Sequence, residues 1–386
     1  MIKKIATMAA LVPLVISLAS PAAAATLTEK KVTSTPQEII VKFKDSVSDS
    51  AAKSFAVKAK DEVVKNNSKF TVIKVKDGDV NAAIKEYKNS GKVEYAEPNY
   101  TYHATWTPND TYFSNGVQWA PQKVSAQSAW DITKGSSSVK VAIVDTGVDY
   151  NHPDLAGKVV KGYDYVDNDY DPMDLNNHGT HCAGIAAAVT NNAKGIAGMA
   201  PNVSVLAVRV LDANGSGTLD AVANGIYYAV DNGAKVVSLS LGGSSGATSL
   251  QNAVNYAASK GVVVVAAAGN ESTSAPSYPG YYSNAIAVAA TDSSDRLASF
   301  SNYGSWVDVA APGVDIASTI RNGGYAYMSG TSMATPLVAG IAGLLASQGR
   351  SASNIRAAIE NTADYVSGTG TYFSKGRVNA ADAVRY

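Results

Sequence analysis

Five apolar runs between residues 140 and 292 constrain the fold of this chain more than any other feature. They read KVAIVDTG, VSVLAVRVL, AKVVSLSLGG, GVVVVAAAGN and AIAVAATD. A strand with one wet face alternates apolar and polar residues, whereas a parallel strand covered on both faces is apolar throughout. Helical segments are predicted at 179–189, about 218–232, about 247–259 and about 332–347. This alternation predicts an α/β fold with an open parallel sheet and helices on both sides.

Residues 37–102 follow a different pattern. EIIVKFK and FTVIKVK alternate like half-buried strands, and VEYAEPNY is typical of a further strand. SAAKSFAVKAKDEVV and VNAAIKEYKNS have helical spacing. Lys outnumbers the acidic residues over 26–105, whereas acidic residues outnumber basic ones over 106–386, where every Arg lies. We therefore predict a small, compact α+β unit, a boundary near residue 105 and a large α/β domain over 106–386.

The first 25 residues are typical of a secretory signal peptide. Lys3 and Lys4 precede an apolar stretch, and the small residues 22–24 supply a cleavage pattern. We therefore expect a secreted, extracellular protein. The one cysteine, Cys182, can form no internal disulfide, so stability must come from the core or from something else, such as bound ions. The formal net charge is zero. We expect a monomer that binds no nucleic acid and, after signal cleavage, no membrane.

Four polar residues lie where strands end or helices begin. Asp145 ends KVAIVD, Asn270 ends GVVVVAAAGN, and His178 and Ser332 each open a predicted helix. Pro336 falls in the first turn of the second helix, where a missing N–H costs little. Because strand ends share one edge of a parallel sheet, the carboxylate, imidazole and hydroxyl can meet there as an acyl-transfer triad. Taken singly, Asp145 could cap a turn, Ser332 could be an ordinary helix N-cap and His178 could have no role. Their joint occurrence favours the triad.

The stretch NNHGTHCAGIAAAV brings His178, His181 and Cys182 into five positions. A zinc site is one alternative, although the H-E-x-x-H pattern is missing and no outlying histidine pair supplies further ligands. A thiol nucleophile is another, because residues four apart share a helix face. Cys182 begins the apolar run CAGIAAAV, however, so we predict that it packs beneath the imidazole as a small buried side chain. A third alternative, an inactive binding relative, predicts a lost triad member.

VAIVDTG, HGTHCAG and GTSMATP resemble the three active-site signatures of the subtilisin-like serine proteases. Residues 106–386 resemble the thermitase branch of this family, and residues 37–102 resemble the inhibitory prodomain of its secreted members. The resemblance implies a subtilisin-like parallel sheet flanked by helices, preceded by a small α+β ferredoxin-like prodomain. It also implies a serine endopeptidase of broad specificity, made as an autoprocessed zymogen. Its own propeptide, residues 26–105, would act as intramolecular inhibitor and chaperone. Leu337 departs from the family, which usually has His there.

The resemblance also implies roles for individual residues. Ser332 would be the nucleophile and His178 the base, while Asp145 would orient the imidazole and Asn270 would donate to the oxyanion. SLSLGG and NGSGT resemble segments that flank an extended polypeptide substrate, and small residues near 266–269 predict a roomy pocket before the scissile bond. Glu271 at the rim of that pocket is expected to tolerate a basic residue too. The expected substrate-binding residues are Gly215, Ser216, Gly217, Ser240, Leu241, Gly242, Gly243, Ala267 and Gly269.

The run DYVDNDYDPMD holds a cluster of aspartates that is either a solvated acidic loop or a site for a hard cation. The resemblance favours structural calcium there, with Asp164, Asp167, Asp169 and Asp171 as ligands and Asp174 close by. It also implies a tighter calcium site, formed partly by carbonyl groups, from Asp110, Asp154, Val189, Asn192, Lys194 and Ile196. A weaker site near Gly280, Tyr282 and Ala285 is a further expectation.

Overall fold

The computed structural model describes residues 37–100 and 106–386, and the chain divides into two compact units between Asn99 and Tyr100. The predicted signal peptide, residues 1–25, lies outside the described residues. So do residues 101–105, next to the predicted domain boundary, which stays a prediction. Within the described ranges, the helices lack the length and apolar character needed to span a bilayer.

The smaller unit is a four-stranded antiparallel sheet with two helices. Its strand order, β2-β3-β1-β4, is that of a ferredoxin-like fold, and its core includes Ile39, Ile73 and Tyr87. The elements are β1 (Glu38–Phe43), α1 (Asp49–Lys58), β2 (Glu62–Asn66), β3 (Thr71–Lys74), α2 (Val80–Asn89) and β4 (Val93–Pro98).

One helix of this unit is shorter than predicted. The helical pattern over 50–64 ends at Lys58, and EVVKN forms the edge strand β2. Lys60 adopts a left-handed φ of 64°, which ends the helix. Val63 then pairs with Ile73 across the sheet. Tertiary pairing has therefore overridden the local helical spacing.

The larger unit is built on a seven-stranded parallel sheet with the order β11-β10-β9-β8-β5-β7-β6. A separate two-stranded antiparallel hairpin contacts the helix His178–Ala187. Its strands are β5 (Lys140–Asp145), β6 (Val159–Asp164), β7 (Ser204–Arg209), β8 (Ala234–Leu239), β9 (Val263–Ala267), β10 (Ala285–Thr291), β11 (Val309–Pro312), β12 (Ile316–Ile320) and β13 (Gly324–Met328). Its helices are α3 (Thr111–Ser114), α4 (Ala120–Lys123), α5 (Ala126–Trp130), α6 (His178–Ala187), α7 (Leu219–Asp231), α8 (Thr248–Ser259), α9 (Thr331–Ser347), α10 (Ala352–Asn361) and α11 (Ala380–Arg385).

The five predicted core strands are confirmed as β5, β7, β8, β9 and β10, and their residues are almost all buried. Two apolar layers cover the sheet, one with α6 and α9 and the other with α7 and α8. Leu337 of α9 is 1% exposed and lies in the first layer near Ile185 and Met199. An apolar side chain therefore fits where the family usually has His.

The strand order reverses at β5, which has β8 on one side and β7 on the other. Such a switch point leaves a crevice at the carboxyl end of the central strand. Asp145 is the last residue of β5. The topology therefore puts the first candidate catalytic residue beside the crevice.

Candidate active site

Asp145 and His178 meet where β5 ends and α6 begins. The Nδ1 atom of His178 lies 2.7 Å from Oδ1 of Asp145, and the backbone N–H of Thr146 donates to the same oxygen at 2.7 Å. Gly179 makes this approach possible, because a Cβ there would lie 2.1 Å from the carbonyl oxygen of Gly147. The glycine of the HGTH motif is thus required by a close contact between helix and strand.

Asp174 holds the start of α6 from within the protein. It is fully buried, and its Oδ1 accepts hydrogen bonds from Thr146 Oγ1 at 2.9 Å and from Asn176 N at 2.7 Å. Its Oδ2 accepts bonds from the N–H and hydroxyl groups of Thr180. A carboxylate at a helix N-terminus satisfies free N–H groups and complements the helix dipole. Asp174 therefore caps the helix that begins at His178. The sequence analysis placed it with the acidic run and did not predict this role.

Ser332 is the second residue of α9, which begins at Thr331. Pro336 consequently lies inside the helix, not in its first turn as predicted, and it leaves the carbonyl of Ser332 without its i+4 donor. Two side chains replace that donor: Ser240 Oγ donates to Ser332 O at 2.8 Å, and Cys182 Sγ donates to it at 3.4 Å. The proline is therefore accommodated by contacts from Ser240, which directly follows β8, and from Cys182 of α6.

The Ser332 hydroxyl donates to the carbonyl oxygen of Ser240 at 3.2 Å. Cys182 Sγ, which contacts Ser332 O, lies 4.0 Å from His178 Nδ1, so nucleophile and imidazole are close neighbours. Catalytic hydrogen bonds are often long or poorly aligned without substrate. In the triad mechanism this hydroxyl donates to the imidazole instead.

Asn270 lies three residues beyond the end of β9, not at the end of the strand as predicted. Its Oδ1 accepts hydrogen bonds from the Thr331 N–H at 2.9 Å and from Thr331 Oγ1 at 3.0 Å. These bonds fix the amide so that its Nδ2 donor is left for another acceptor. Thr331 is thus a positioning residue that the sequence reasoning missed, although it lies within the GTSMATP motif.

Electrostatics around the imidazole favour its charged form. Burial by itself would lower the pKa of His178, but the Asp145 carboxylate and, to a smaller extent, the neighbouring Cys182 together raise that pKa well above its usual value. Burial raises the pKa of the Cys182 thiol, so the thiol is neutral near the imidazole. The charge that stabilises the imidazolium is therefore the carboxylate of Asp145.

The sequence and the fold both match known proteins. A family model described as the Subtilase family matches residues 136–380. The chain is a subtilase. It is 70% identical over 281 residues to thermitase of Thermoactinomyces vulgaris, which covers 73% of this chain and all of that protein. It is 57% identical to a thermophilic serine proteinase of Bacillus sp. strain AK1, which covers 90% of this chain and 87% of that protein.

Two further matches extend the comparison. A crystal structure of a cold adapted subtilisin-like serine proteinase superimposes with a TM-score of 0.56 at 39% identity, covering 63% of this chain and 88% of that one. A model of the fervidolysin N-terminal prodomain matches residues 20–99. The predicted family and fold are confirmed, and the subtilase is a serine endopeptidase with a prodomain, as in a zymogen.

The candidate substrate residues of the subtilase line two adjoining pockets. One, of about 610 Å³, has His178 in its wall, and the other, of about 440 Å³, has Ser332 and Asn270 in its wall. The first is lined by Gly215, Ser216, Gly217, Ser240, Leu241, Gly242 and Gly243, and the second by Leu241, Gly242, Gly243, Ala267, Gly269 and Glu271. The predicted residues are therefore brought together around the triad. Asn302, which also lines the second pocket, was missed because no sequence motif marks it.

The residues predicted for the tighter calcium site include two fully buried carboxylates, Asp110 and Asp154. Asp110 accepts a bond from Asn191 N at 2.7 Å, and Asp154 accepts bonds from Asn192 Nδ2 at 2.8 Å and from Ile196 N at 2.9 Å. Val189 N donates to the Asp154 carbonyl, and Lys194 N donates to Asn192 Oδ1.

Burial raises the pKa of Asp110, and the neighbouring Asp154 contributes in the same direction. Across the described part of the chain, neither carboxylate has a Lys, Arg or His partner within 4.0 Å. Two buried anions without a positive partner, wrapped by one loop, fit a hard cation with oxygen ligands.

The acidic run is arranged differently. Asp164 and Asp167 both accept a 2.6 Å bond from Nη1 of Arg209, and Asp171 accepts from Tyr150 and lies 3.5 Å from Lys161 Nζ. Asp169 pairs through its backbone with Asp164. Arg209 therefore compensates two of these carboxylates, an arrangement that neither the solvated loop nor the cation site of the sequence analysis included.

Groups of the expected weaker calcium site also form hydrogen bonds within the protein. The Ala285 carbonyl accepts a bond from Arg356 at 2.9 Å, and the Tyr282 hydroxyl donates to Ala247 O. Gly280 lies close to Ala267, since a Cβ added at Gly280 would be 2.9 Å from the Ala267 carbonyl oxygen. A guanidinium on a carbonyl that should bind calcium argues against a cation at this position.

The zinc alternative is not supported by the geometry. His181 Nε2 bonds to the carbonyl oxygen of Ala326 at 3.1 Å, and burial lowers the pKa of His181 to about 4. In the described residues, Asp145, His178 and Cys182 are the one group of three or more His, Cys, Asp or Glu side chains whose ligand atoms lie close enough to share a metal. A cysteine binds zinc as its thiolate, whereas burial raises the pKa of Cys182, and His178 Nδ1 is already bonded to Asp145.

We expect kcat/KM to rise with pH through the pKa of His178, with an inflection above the usual histidine range, because only the neutral imidazole can accept the serine proton. The contribution of His178 to folding stability changes with pH in the opposite direction from kcat/KM. A pKa raised by folding stabilises the protein below the unfolded pKa, and that contribution is lost as pH rises through the folded pKa. Profiles of kcat/KM against pH for a neutral peptide test this. An inflection at or below the pKa of free histidine would contradict it.

Cys182→Ala should retain most activity and lose about 1 kcal/mol of stability, as expected for a small core truncation. Ser240 still donates to the Ser332 carbonyl in this variant, so α9 keeps its main replacement bond. Bulky mercurials should inhibit the unmodified enzyme by displacing His178 and should spare the variant. Peptidase assays and urea unfolding measure both effects. If Cys182→Ala is as inactive as Ser332→Ala, the thiol takes part in the chemistry.

Proposed function

We propose that the subtilase is a secreted, calcium-stabilised serine endopeptidase of broad specificity that matures by cleaving its own propeptide. The observation that carries this proposal is the convergence of Asp145, His178, Asn270 and Ser332 on one cleft at the switch point of the sheet. These residue types, in this order along a chain of this family, perform acyl transfer.

Ser332 attacks the scissile carbonyl while His178 takes the proton from its hydroxyl. The resulting imidazolium is stabilised by Asp145, which accepts a hydrogen bond from Nδ1–H. Nε2 is therefore the nitrogen that carries the transferred proton. His178 then protonates the leaving amine, which departs and leaves an acyl-enzyme on Ser332. Water, deprotonated by the same imidazole, releases the acid product.

The oxyanion of each tetrahedral intermediate would receive the Nδ2–H of Asn270 and the backbone N–H of Ser332. Two features support this role: Thr331 holds the acceptor oxygen of the Asn270 amide, and the Ser332 N–H lies at the start of α9. Subtilisins are themselves the established example of such a donor, in which its loss costs roughly 2.7–4 kcal/mol of barrier.

Broad specificity follows from binding through the main chain. The segments 215–217 and 241–243 expose backbone next to the triad, and a Cβ added at Gly243 would meet no atom within 4 Å. An extended peptide can therefore lie against them and form main-chain hydrogen bonds that do not depend on its sequence. Polypeptides of many sequences are the substrates that this surface favours.

Maturation and secretion are supported by the N-terminal part of the chain. The prodomain match over 20–99 precedes the peptidase match over 136–380. The basic and apolar start of the sequence supports export, and one relative in Natrialba magadii is named an extracellular serine protease. We infer that the propeptide inhibits the peptidase until Ser332 cleaves near residues 100–105.

Calcium is proposed at Asp110 and Asp154. Bound there, it would supply positive charge to two buried carboxylates and would tie α3 to the loop 189–196. The acidic run from Asp164 to Asp171, with Arg209 among its carboxylates, is proposed as a weaker position. Folded-state cation binding would give this chain, whose one cysteine is free, a stabilisation that other exported proteins obtain from disulfides.

Ser332→Ala should accumulate as an intact precursor, because self-cleavage requires the nucleophile. Expression in a protease-free host, followed by mass measurement and N-terminal sequencing, tests this. Addition of a trace of active enzyme provides the control, since a correctly folded precursor should then be cut near residue 105. Mature-sized protein formed by the variant alone would exclude autoprocessing.

Chelation should lower the melting temperature of the mature enzyme by more than it lowers activity assayed promptly at low temperature. A cation that binds only the folded form contributes about 2.7 kcal/mol at a hundredfold excess over its dissociation constant. The melting curves should use enzyme blocked by a serine-directed inhibitor, so that autolysis does not contribute, and the activity assay should use unblocked enzyme. Asp154→Asn should remove most of the response to chelator, whereas Asp169→Asn, at the weaker position, should retain most of it. A melting temperature that excess chelator leaves unchanged would refute the calcium proposal.

A further inference from the structure

The hairpin of β12 and β13 forms one flank of the catalytic cleft. Ser318 Oγ donates to the His181 carbonyl at 2.7 Å, and Thr319 Oγ1 donates to the Thr180 carbonyl at 2.8 Å. The strand β12 therefore runs along α6 toward the N-terminus of that helix, where the catalytic base lies. The strand β13 ends at Met328, three residues before α9, which carries the nucleophile. The hairpin thus borders both catalytic helices.

The other flank holds the pockets already described. The Ser332 hydroxyl donates to the Ser240 carbonyl at 3.2 Å, next to the segment 241–243, and Asn176 Nδ2 donates to the Ala213 carbonyl at 2.9 Å. None of the described hairpin residues lines either of the two pockets. Because the pocket proposed for the residue before the scissile bond adjoins 241–243, the residues after that bond should leave the triad over the hairpin.

Arg321 directly follows β12 and lies beside the start of α6. Its backbone N–H donates to Asn177 Oδ1 at 3.3 Å, and its Nη1 donates to the Leu175 carbonyl at 2.8 Å. Asn177 is the N-cap residue of α6, one position before His178. The Arg321 side chain therefore lies across the loop that leads into the base, on the hairpin side of that loop.

The guanidinium of Arg321 carries a charge that no carboxylate of the described protein neutralises. Within residues 37–100 and 106–386, no Asp or Glu oxygen lies within 4.0 Å of it. Its side chain makes one hydrogen bond in those ranges, to the Leu175 carbonyl, whereas a guanidinium has five N–H donors. The side chain is half-buried. Its position is thus held while several donors stay available to a carboxylate from outside.

We propose that Arg321 is a specificity-determining residue on the leaving-group side of the cleft: it pairs with the carboxylate of an Asp or Glu two or three residues after the scissile bond. This inference rests on the proposed peptidase function and adds a substrate class to it. The first residue after the bond lies over the triad itself, which leaves the next two for Arg321. Successive side chains of an extended peptide point to opposite faces, so one of these two positions should face the guanidinium and the other should not.

The test uses internally quenched, C-terminally amidated peptides with one common sequence up to the scissile bond. Each carries Glu or Gln at the second or the third position after that bond, and mass measurement confirms the cut. At one of the two positions the unmodified enzyme should prefer Glu by about three- to fivefold in kcat/KM, as for a well-formed exposed ion pair. The preference should arise mainly through KM, because the pair forms in the ground and transition states alike. Added salt should reduce it.

Three variants assign the preference. Arg321→Gln should abolish it, because a glutamine amide can still donate to the Leu175 carbonyl but carries no charge. Arg321→Lys keeps the charge and should retain part of the preference, and kcat for the Gln peptides should stay within about twofold in both variants. Lys260→Gln is the control. It also removes one positive charge, but at the end of α8, before β9 begins and so at the edge of the sheet opposite the cleft, and it should leave the preference unchanged.

A second measurement isolates the leaving-group side. The acyl-enzyme formed from an ester substrate is offered water and an added tripeptide amide, Gly-Glu-Gly or Gly-Gly-Glu, or the Gln counterpart of either. Attack by the amine nitrogen forms a peptide bond and breaks the ester to Ser332, while His178 passes the amine proton to the serine oxygen. The Glu nucleophile should capture more acyl-enzyme than its Gln counterpart at the position favoured in the cleavage assay. Arg321→Gln should remove this difference.

A missing Glu/Gln preference in the unmodified enzyme, a measurement that needs no variant, would overturn the inference. So would a preference that Arg321→Gln retains, or one that is equal at both positions, which would indicate the diffuse field of the protein. Failure of the unmodified enzyme to cleave any of the peptides would instead count against the proposed function. Normal cleavage of the Gln peptides without a preference for Glu would leave the peptidase proposal standing and remove this inference alone.

Discussion

The buried carboxylate of Asp145 is the constraint on which the rest of the site depends. It is fully buried at the end of β5, where an anion without partners would be strongly destabilising. Its Oδ1 is satisfied by the Thr146 N–H and by His178, and the imidazole reaches it because Gly179 has no side chain. The start of α6 is held in turn by Asp174. The charge, the glycine and the helix cap therefore form one arrangement, in which the loss of any member would move the base.

A second constraint comes from Pro336 inside α9. Because proline has no N–H, the carbonyl of Ser332 needs a donor from elsewhere, and Ser240 and Cys182 provide it. These bonds join the end of β8 and the face of α6 to the nucleophile. Cys182, which the sequence alone allows as a nucleophile or a zinc ligand, thus has a structural contact with the Ser332 carbonyl in the fold.

The two groups of acidic residues illustrate how charge balance depends on distant partners. Asp164 and Asp167 obtain theirs from Arg209, which lies 45 positions after Asp164 in the chain. Asp110 and Asp154 have no such cation within the described residues, and their oxygens face a loop that supplies N–H donors and an amide. A run of aspartates is conspicuous in a sequence, yet the more demanding pair is separated by more than forty positions and forms no visible cluster.

The sequence by itself determined the parallel sheet, its five core strands and the identity of the four candidate catalytic residues, because continuous apolar runs and short motifs are local signals. It also determined which residues could flank a substrate. Only the tertiary structure decided that EVVKN is a strand, that Pro336 is accommodated by Ser240 and Cys182, and that Arg209 pairs with two carboxylates of the acidic run. Asn302 belongs to the same class, since it meets Glu271 from 31 positions away. The physical reason is common to these cases: a buried donor, acceptor or charge takes whichever partner the fold brings within about 3 Å, and spacing along the chain does not encode that partner.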